Sequence, residues 1–336
     1  MSNTYVGIDV HKKLCVYTEL DPSGNVLRRG KFGNNISEVS DFASRIGSGT
    51  HIVVEPVLNY EWLLDQIEPY SKSVHVAAPY KVRIIAESKS KTDKYDSRVL
   101  ADLLRTNYLP ESWLPPRDLR SLRMIIRQRY HFVKMLVSLK NRVRHLLFLY
   151  GADLKASDVS SASARREISR LLLPDVSLMS VYQCLEEIDR LKETIGGLNE
   201  YLEAASEGIE AVSLLRTIHG MGLIWSITIY AEVGDISRFR SAKAFSSYTG
   251  LVPTVRSSGE SVYRGGITHL GSKPLRHALV EVSLHVCRKS PSLNRLYNRV
   301  LYRSNVQKAR VAVARKLSVI IYHMLKNSEP YRAETV

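Results

Sequence analysis

The sequence predicts an α/β layer fold with a mixed sheet at its N-terminal end and mainly α-helical structure in the remainder. Three observations predict this division of the 336-residue chain. Strand-like runs alternate with helical ones up to about residue 110, and an Arg- and Lys-rich helical stretch follows Pro110–Pro116. A second helical stripe of apolar residues then ends near residue 205. We therefore expect three segments, at 1–110, 111–210 and 211–336.

The strands of the first segment are predicted by short apolar runs bounded by turn residues. Residues 5–10 form such a run with one carboxylate inside it, and the runs at 14–20 and 26–32 flank the turn residues Asp21–Asn25. Two β-rich runs joined by a short turn predict a hairpin. Further strands are predicted at 51–55 and 74–78, and helices near 35–46, 60–68 and 81–106.

The second and third segments read as mainly helical. Apolar stripes at about 117–147 and 177–205, separated by a Ser/Ala-rich break, predict an antiparallel helical pair or coiled coil. In the third segment, Gly220-Met221-Gly222 before an apolar helix at 224–232 predicts a turn between two helices. The Ser-, Gly- and Arg-rich stretch 254–273 reads as a loop, followed by helices at about 274–289 and 306–326.

The composition indicates a polyanionic partner. Lys and Arg number 48 against 33 Asp and Glu, a net charge of +15, while 44% hydrophobic residues exclude a disordered chain. No run of apolar residues is long enough for a membrane span. The three cysteines lie far apart, which excludes a disulfide framework and a Cys-rich zinc site and leads us to expect a cytoplasmic protein.

Four acidic residues are candidate metal ligands. Asp9 lies in the first strand, Glu55 closes a later strand, and Asp93 and Asp96 share one face of a helix because they are three residues apart. A carboxylate in an apolar strand is costly to desolvate unless it is paired or binds a cation. Taken alone, each acid is better explained as a strand-end cap or a salt-bridge partner. Together, in this order, they favour a site for a hard divalent cation, which prefers oxygen ligands.

Ser258 and a set of basic residues are candidates for contact with phosphate. Ser258 precedes Gly259, where a hydroxyl is accessible, although the composition taken alone favours plain phosphate contact over a nucleophilic role. Gly220 and Gly222 would expose backbone N–H groups at a helix start. Nine basic residues and one acid, Asp118, fill the stretch 117–145, where nucleic acid would relieve their mutual repulsion. The expected nucleic-acid contacts are those two glycines with Arg117, Arg120, Arg123, Arg127, Arg129, Lys134, Lys140, Arg142, Arg144, Arg256, Arg264, Lys273 and Arg276.

With these residues assembled, the chain resembles the DEDD transposases of bacterial insertion sequences. These are related to the pilin-gene invertases and are known as bridge-RNA-guided recombinases. Gly7–Lys12 resembles the family's opening, Val54-Glu55-Pro56 with Tyr60 its Glu motif, and Lys91–Asp96 its paired-Asp motif. Gly250–Pro253 leading to Ser258-Gly259 resembles the C-terminal domain with its serine. The chain departs from the family pattern at Pro56–Asn59, between the conserved-type Glu and Tyr.

This resemblance implies a fold and a mechanism that spacing alone does not. It implies a RuvC-like (RNase H-type) domain at 1–110 that binds Mg²⁺, or Mn²⁺ in its place, through Asp9, Glu55, Asp93 and Asp96. A helical coiled-coil region at 111–210 would lead to a mainly α transposase domain at 211–336, with a helix-hairpin-helix-like turn. There Ser258 would become covalently joined to DNA. It also implies a noncoding bridge RNA and a homo-oligomer, dimer or tetramer, in which one subunit's acids meet another's serine.

Two other functions fit the same residues. A RuvC-type metal-dependent nuclease would use the same acids to activate water and would leave Ser258 to hold a phosphate. A non-catalytic nucleic-acid-binding protein would use only the basic helix and the Gly220 turn.

Overall fold

The protein is described from a computed structural model that covers residues 3–57, 59–85, 93–258, 261–268 and 270–332. At 93–95, 255–258 and 261–264 only the backbone is described. The chain divides into two compact units, Met1–Pro115 and Pro116–Val336, called the N-terminal and C-terminal units below. The division into three segments stays a prediction.

The N-terminal unit is built on one mixed sheet, as predicted. Its strands are β1 (Thr4–Val10), β2 (Leu14–Leu20), β3 (Val26–Gly33), β4 (Thr50–Val54), β5 (Ser73–Ala77) and β6 (Glu111–Ser112). They lie in the order β3-β2-β1-β4-β5-β6, in which β4 runs parallel to both β1 and β5 and the other neighbours are antiparallel. This arrangement is compatible with the expected RuvC-like fold.

Helices cover both faces of this sheet. They are α1 (Ile36–Ser44), α2 (Tyr60–Ile67), α3 (Pro79–Ile85) and α4 (Asp93–Arg105). Side chains alternate along a strand, so Val6 and Ile8 of β1 share one buried cluster with Phe42 of α1 and Leu63 of α2. On the other face, Val53 of β4 shares a cluster with Leu100 of α4. Of the helix predicted at 81–106, the described parts lie in α3 and α4, and residues 86–92 are outside the described ranges.

The C-terminal unit is mainly helical and contains one β-hairpin. Its helices are α5 (Arg117–Phe148), α6 (Ala162–Ile168), α7 (Asp175–Ala204), α8 (Glu210–Arg216), α9 (Leu223–Val233), α10 (Ala242–Tyr248), α11 (Lys273–Cys287), α12 (Pro291–Arg303) and α13 (Val306–Asn327). The hairpin consists of β7 (Pro253–Ser258) and β8 (Ser261–Ile267). The sequence analysis did not predict α6, α10, α12 or the two strands.

The long helices α5 and α7 pack against each other in antiparallel directions. Leu147, near the end of α5, shares a buried cluster with Val181, near the start of α7. At the opposite end, Leu122 of α5 shares a cluster with Leu202 of α7. The helical pair is confirmed, and a supercoil between its members stays a prediction.

The largest buried cluster joins helices α8 to α13. Fully buried side chains from three of them, Phe245 of α10, Leu279 of α11 and Leu317 of α13, meet there. Burial of large apolar side chains is the main source of stability in such a bundle. Across the described ranges, no helix combines the length and the apolar character needed to cross a membrane.

Candidate functional site

Two of the predicted acids lie at the same end of neighbouring parallel strands, Asp9 near the end of β1 and Glu55 directly after β4. Ile8 of β1 lies opposite Val54 of β4. The residues that follow them, Asp9 and Glu55, therefore reach the same edge of the sheet. Side chains two residues apart share a face of a strand, which puts Asp9 on the face of Gly7 and Glu55 on the face of Val53. Both therefore belong to the face that α4 covers.

The start of α4 lies over this edge. Gly7 has no side chain, so α4 packs directly against the backbone of β1 at that residue. A methyl group built on Gly7 would overlap the carbonyl oxygen of Ser97 and would lie 2.6 Å from the backbone nitrogen of Ala101. Thr18 of β2 lies opposite Gly7. Its hydroxyl forms a buried hydrogen bond of 2.9 Å with the hydroxyl of Ser97 on α4. These contacts fix where the helix crosses the sheet.

The direction of α4 follows from its other end. Arg105, its last residue, donates to the carbonyl oxygen of Pro22 at 3.1 Å, in the turn between β2 and β3. That turn lies beside the start of β1, because Tyr5 pairs with Leu20. The first turn of α4, with Asp93 and Asp96, therefore points toward the end of β1 that carries Asp9.

Glu55 and Asp96 line one small cavity. Its volume is about 160 Å³, below the roughly 300 Å³ at which ligand pockets begin, and Arg83 of α3 also lines it. We call Asp9, Glu55 and Asp96 the acidic edge. The structure thus brings three of the four predicted acids to one face and one edge of the sheet. Asp93 begins α4, and its side chain lies outside the described residues.

His11 is a further member of this region that the sequence reasoning did not select. Its Nε2 lies 3.2 Å from Oδ2 of Asp9. The signal was available, because His11 follows Asp9 by two residues and so shares its side of the chain. Cys15 pairs with Val10 across the hairpin, and burial raises the pKa of its thiol to about 12, with a smaller contribution from the charge of Asp9. The acidic edge therefore has an imidazole beside it and no reactive thiol at Cys15.

Ser258 is the last residue of β7, where its backbone pairs with Ser261 of β8. The loop predicted for 254–273 is corrected here, because antiparallel pairing orders most of that stretch into a hairpin. Ser258 stands directly before residues 259 and 260, and its side chain lies outside the described residues. Arg256 pairs with Tyr263 and Arg264 with Val255, and the side chains of both arginines are likewise outside the described set.

The basic residues of α5 differ in exposure. Five are exposed: Arg117, Arg127, Lys134, Arg142 and Arg144. Three are half-buried: Arg120, Arg129 and Lys140. Several of the nine lie close to acids from elsewhere in the same unit, among them Arg127 at 3.2 Å and Arg123 at 3.9 Å from Glu232, and Lys140 at 3.0 Å from Asp158. Mutual repulsion along α5 is thus partly compensated within the fold.

Arg123 is a correction to the predicted set of nucleic-acid contacts. Its side chain is buried, its Nε donates to the carbonyl oxygen of Ala231 at 2.7 Å, and its Nη2 donates to that of Glu232 at 2.9 Å. These are carbonyls at the end of α9, which lack partners within their own helix. Arg123 therefore connects α5 to α9 and is not part of the exposed basic surface.

The turn predicted around Gly220 connects α8 to α9. Gly220 has φ +81°, and a side chain there would overlap Cβ of His285. Gly222 precedes the first residue of α9 in extended backbone, with open space around it. Phosphate binding at this turn stays a prediction. Of the remaining predicted contacts, Lys273 is exposed at the start of α11, and Arg276 donates to the carbonyl oxygen of Thr249 at 3.4 Å.

Comparison with known proteins gives two family matches, one that covers most of the N-terminal unit and continues through α5, and one within the C-terminal unit. Residues 6–151 match a DEDD transposase model of the IS110 type, and residues 212–298 match the model described as "Transposase IS116/IS110/IS902 family". The chain is similar to the transposase for insertion sequence element IS1111A of Coxiella burnetii, with 26% identity over 97% of this chain and 91% of the relative. It is also similar to the pilin gene-inverting protein of Moraxella bovis, with 25% identity over 98% of each.

These matches span both units and agree with each other. The chain belongs to the IS110 family of DEDD transposases. The transposase is accordingly an enzyme that cuts and rejoins DNA strands. The expectation drawn from the sequence motifs is confirmed at this level, and the alternative of a non-catalytic nucleic-acid-binding protein is wrong.

Membership of the DEDD family implies dependence on a divalent metal ion. The donor set of the acidic edge fits such an ion, because it consists of carboxylate oxygens, the ligands that hard divalent cations take. Among the side chains that the structure describes, no three His, Cys, Asp or Glu are close enough together to hold a metal ion. The side chain of Asp93, the fourth predicted ligand, is not among them.

Proposed function

We propose that this transposase joins the Ser258 hydroxyl covalently to a DNA phosphate, using Mg²⁺ bound by Asp9, Glu55, Asp93 and Asp96, and that a noncoding RNA directs it to its sites. The observation that carries the proposal is the register of β1 and β4. This register brings Asp9 and Glu55 to one edge of the sheet, and the crossing of α4 at Gly7 directs its first turn to that edge.

The acidic edge supports the metal-dependent part. Glu55 and Asp96 line a common cavity with Arg83, whose guanidinium suits a phosphate oxygen. His11 lies beside Asp9, with its Nε2 3.2 Å from that carboxylate. Mg²⁺, or Mn²⁺ in its place, would supply Lewis-acid stabilisation of the charge that develops on the phosphate. The carboxylates hold the ion, and Arg83 positions the DNA backbone.

The covalent step exchanges one phosphate ester for another. The Ser258 oxygen forms a bond to phosphorus, and the bond from phosphorus to one bridging oxygen of the DNA breaks. The proton of the serine hydroxyl goes to solvent or to a base, and the leaving oxygen takes a proton to become a free strand end. Attack by that strand end, or by a new one, reverses the exchange and rejoins the DNA. The place of Ser258 next to the β7–β8 connection supports its access to a strand.

The partners are proposed from charge and from the family resemblance. The exposed basic residues of α5 and the net charge of +15 support contacts with both DNA and RNA. We propose a homo-oligomer, dimer or tetramer, as the active form. Purification of the transposase from cells, followed by sequencing of the bound RNA, tests the guide. One defined RNA species is expected, and a random mixture of cellular RNA would contradict this part of the proposal.

The covalent link is tested with two neighbouring serines. End-labelled substrate DNA is incubated with the transposase, and adducts that resist denaturant are measured by gel electrophoresis. Ser258→Ala should abolish the adduct, while Ser257→Ala, the matched control on the same strand, should keep it. Adducts that persist with Ser258→Ala would overturn the assignment of the nucleophile.

The same gel tests the alternative in which water makes the cut. Hydrolysis would release strand ends with no protein attached, in the wild-type transposase as in Ser258→Ala. Cleavage by the Ser258→Ala variant at the wild-type rate would therefore favour the nuclease mechanism and contradict the proposal.

A further inference from the structure

A cavity of about 570 Å³ lies between α5, α9 and α11 in the C-terminal unit. This volume falls within the range of small-molecule sites, roughly 300–1,000 Å³. Apolar side chains form much of its wall, among them Ile126 and Val133 of α5 and Ile224 of α9. None of the acids discussed for catalysis contributes to it, so the cavity is separate from the acidic edge.

Three aromatic rings line this cavity, and the middle one, His277, contacts the other two. The ring of His277 on α11 lies 5.4 Å from the ring of Tyr130 on α5 and 5.4 Å from that of Trp225 on α9, in edge-on geometry in both cases. The ammonium of Lys134 lies over one face of Tyr130, 4.7 Å from the ring centroid, and the ring pairs meet edge to face, a favoured geometry for aromatic side chains. We call these three residues the aromatic wall.

A cationic side chain without an acidic partner lines the same cavity. Arg129 is half-buried, and its Nε donates to Oδ1 of Asn199 on α7 at 2.6 Å. No carboxylate of the described chain pairs with its guanidinium. Burial lowers the pKa of this group, which records the cost of desolvating a charge. An anionic ligand in the cavity would offset that cost.

The other charges at the cavity leave a net positive rim. Arg127 is paired with the buried Glu232 at 3.2 Å, and Glu281 is paired with Arg310 at 3.0 Å. Lys273 is exposed at the start of α11. Because Glu232 and Glu281 are each paired with an arginine, Lys273 and Arg129 are the positive charges that remain at the cavity.

We propose that this cavity binds one unpaired nucleotide of a single-stranded nucleic acid, with its base against the aromatic wall and its phosphate at Arg129 and Lys273. Stacking on aromatic side chains beside a basic groove is how proteins hold unpaired bases. A purely apolar ligand would leave Arg129 unmatched, and a duplex presents no free base face. The inference rests on the proposed function only in taking nucleic-acid strands as the ligand.

The test measures equilibrium binding of single strands to the full-length transposase. The probes are a short oligothymidylate carrying one central 2-aminopurine, its oligouridylate counterpart, and the DNA strand annealed to its complement. Binding is followed by fluorescence anisotropy and by quenching of the 2-aminopurine, which reports stacking. The DNA and RNA probes distinguish which strand the cavity takes.

Trp225→Ala should weaken binding of the preferred single strand by roughly five- to 150-fold and remove the quenching. Trp225→Phe, which keeps a ring, should retain most of both, and this guards against a mere folding defect. Arg129→Gln should lower the salt dependence of single-strand affinity by about 0.7 in slope, the value for one lost phosphate contact. Arg166→Gln, an exposed arginine on α6 outside the cavity, should leave affinity, slope and quenching unchanged.

Two results would overturn the nucleotide site. One is an equal loss of single-strand affinity and of salt dependence with Arg129→Gln and Arg166→Gln, and the other is unchanged 2-aminopurine quenching with Trp225→Ala. Either result leaves the Ser258 adduct assay untouched, because that assay follows covalent chemistry. Conversely, adducts that persist with Ser258→Ala would overturn the covalent mechanism and leave these titrations as they are.

Discussion

Replacement of Gly7 by Ala should unfold the N-terminal unit at a markedly lower temperature. The added methyl would overlap the carbonyl oxygen of Ser97 and lie 2.6 Å from the backbone nitrogen of Ala101 and 3.0 Å from Cβ of Leu100. Two of these three neighbours are backbone atoms, which cannot rotate away. The methyl therefore has to push α4 off β1.

The expected cost follows from this geometry. Overpacking costs typically 1–3 kcal/mol, and rigid backbone neighbours favour the upper end, about 3 kcal/mol. For a unit of about 115 residues, 1 kcal/mol corresponds to roughly 4 °C, so Tm should fall by about 12 °C. Propensity alone predicts the opposite sign, because Gly in a strand costs roughly 0.5–1 kcal/mol relative to Ala. A fall in Tm would therefore support the close packing of α4 on β1, and a rise would contradict it.

Gly47→Ala is the matched control for this substitution. Gly47 is exposed, and a methyl there would have Thr50 Oγ1 as its nearest neighbour at 3.8 Å, an ordinary contact. Thermal unfolding followed by circular dichroism compares the two variants, and DNA cleavage is measured below both transitions. Gly7→Ala should also lose cleavage, because a displaced α4 carries Asp96 away from Asp9. A Gly7→Ala variant as stable and active as Gly47→Ala would refute the close approach of α4.

Two further predictions concern stability. Gly220→Ala should destabilise the C-terminal unit by at least about 1 kcal/mol, because φ at Gly220 is +81° and the added methyl would overlap a side chain of α11. Gly222→Ala is the control and should change the free energy of unfolding by less than about 0.5 kcal/mol. Urea unfolding of both variants measures the difference. Burial, together with the charge of Lys72, lowers the pKa of His51 from its ordinary value of 6.5. Below about pH 6.5 the unfolded chain therefore binds a proton at this residue that the folded chain does not, so stability should fall on acidification from pH 7.5 to 5.5. His51→Phe should show a smaller fall, and an unchanged pH dependence in that variant would contradict the assignment.

The strands and the acidic edge were largely predictable from the sequence. Short apolar runs bounded by turns predicted the first five strands to within about a residue or two, because each run is both buried and β-forming. Asp9 and Glu55 stood at the ends of such runs, so the parallel pairing of those strands was enough to bring them to one edge. A glycine at position 7, inside a strand, indicated a close approach by another backbone. The sequence could not show that this backbone is α4, because α4 begins more than 80 residues later.

Other features depended on contacts that a linear pattern does not show. The hairpin of β7 and β8 was missed because Gly265 and Gly266 weaken the strand signal, and pairing between the two strands overrides it. Helix α12 begins at Pro291 and has apolar residues Leu293, Leu296 and Tyr297 at helical spacing, a signal that the sequence reasoning passed over. Arg123 looked like its neighbours on α5, and only the carbonyl end of α9 gives it a buried role.

The claim most central to this account is that the acidic edge binds the divalent ion used in catalysis. The direct measurement is titration of the wild-type transposase with Mn²⁺, followed by electron paramagnetic resonance, beside Asp96→Asn and Asp102→Asn. Asp102 is the matched control, since it lies on the same helix and is an exposed acid paired with Arg105 at 2.7 Å. Asp96→Asn should weaken Mn²⁺ binding at least tenfold and abolish cleavage, while Asp102→Asn binds and cleaves as the wild type does. Equal Mn²⁺ affinity in all three proteins would contradict the account.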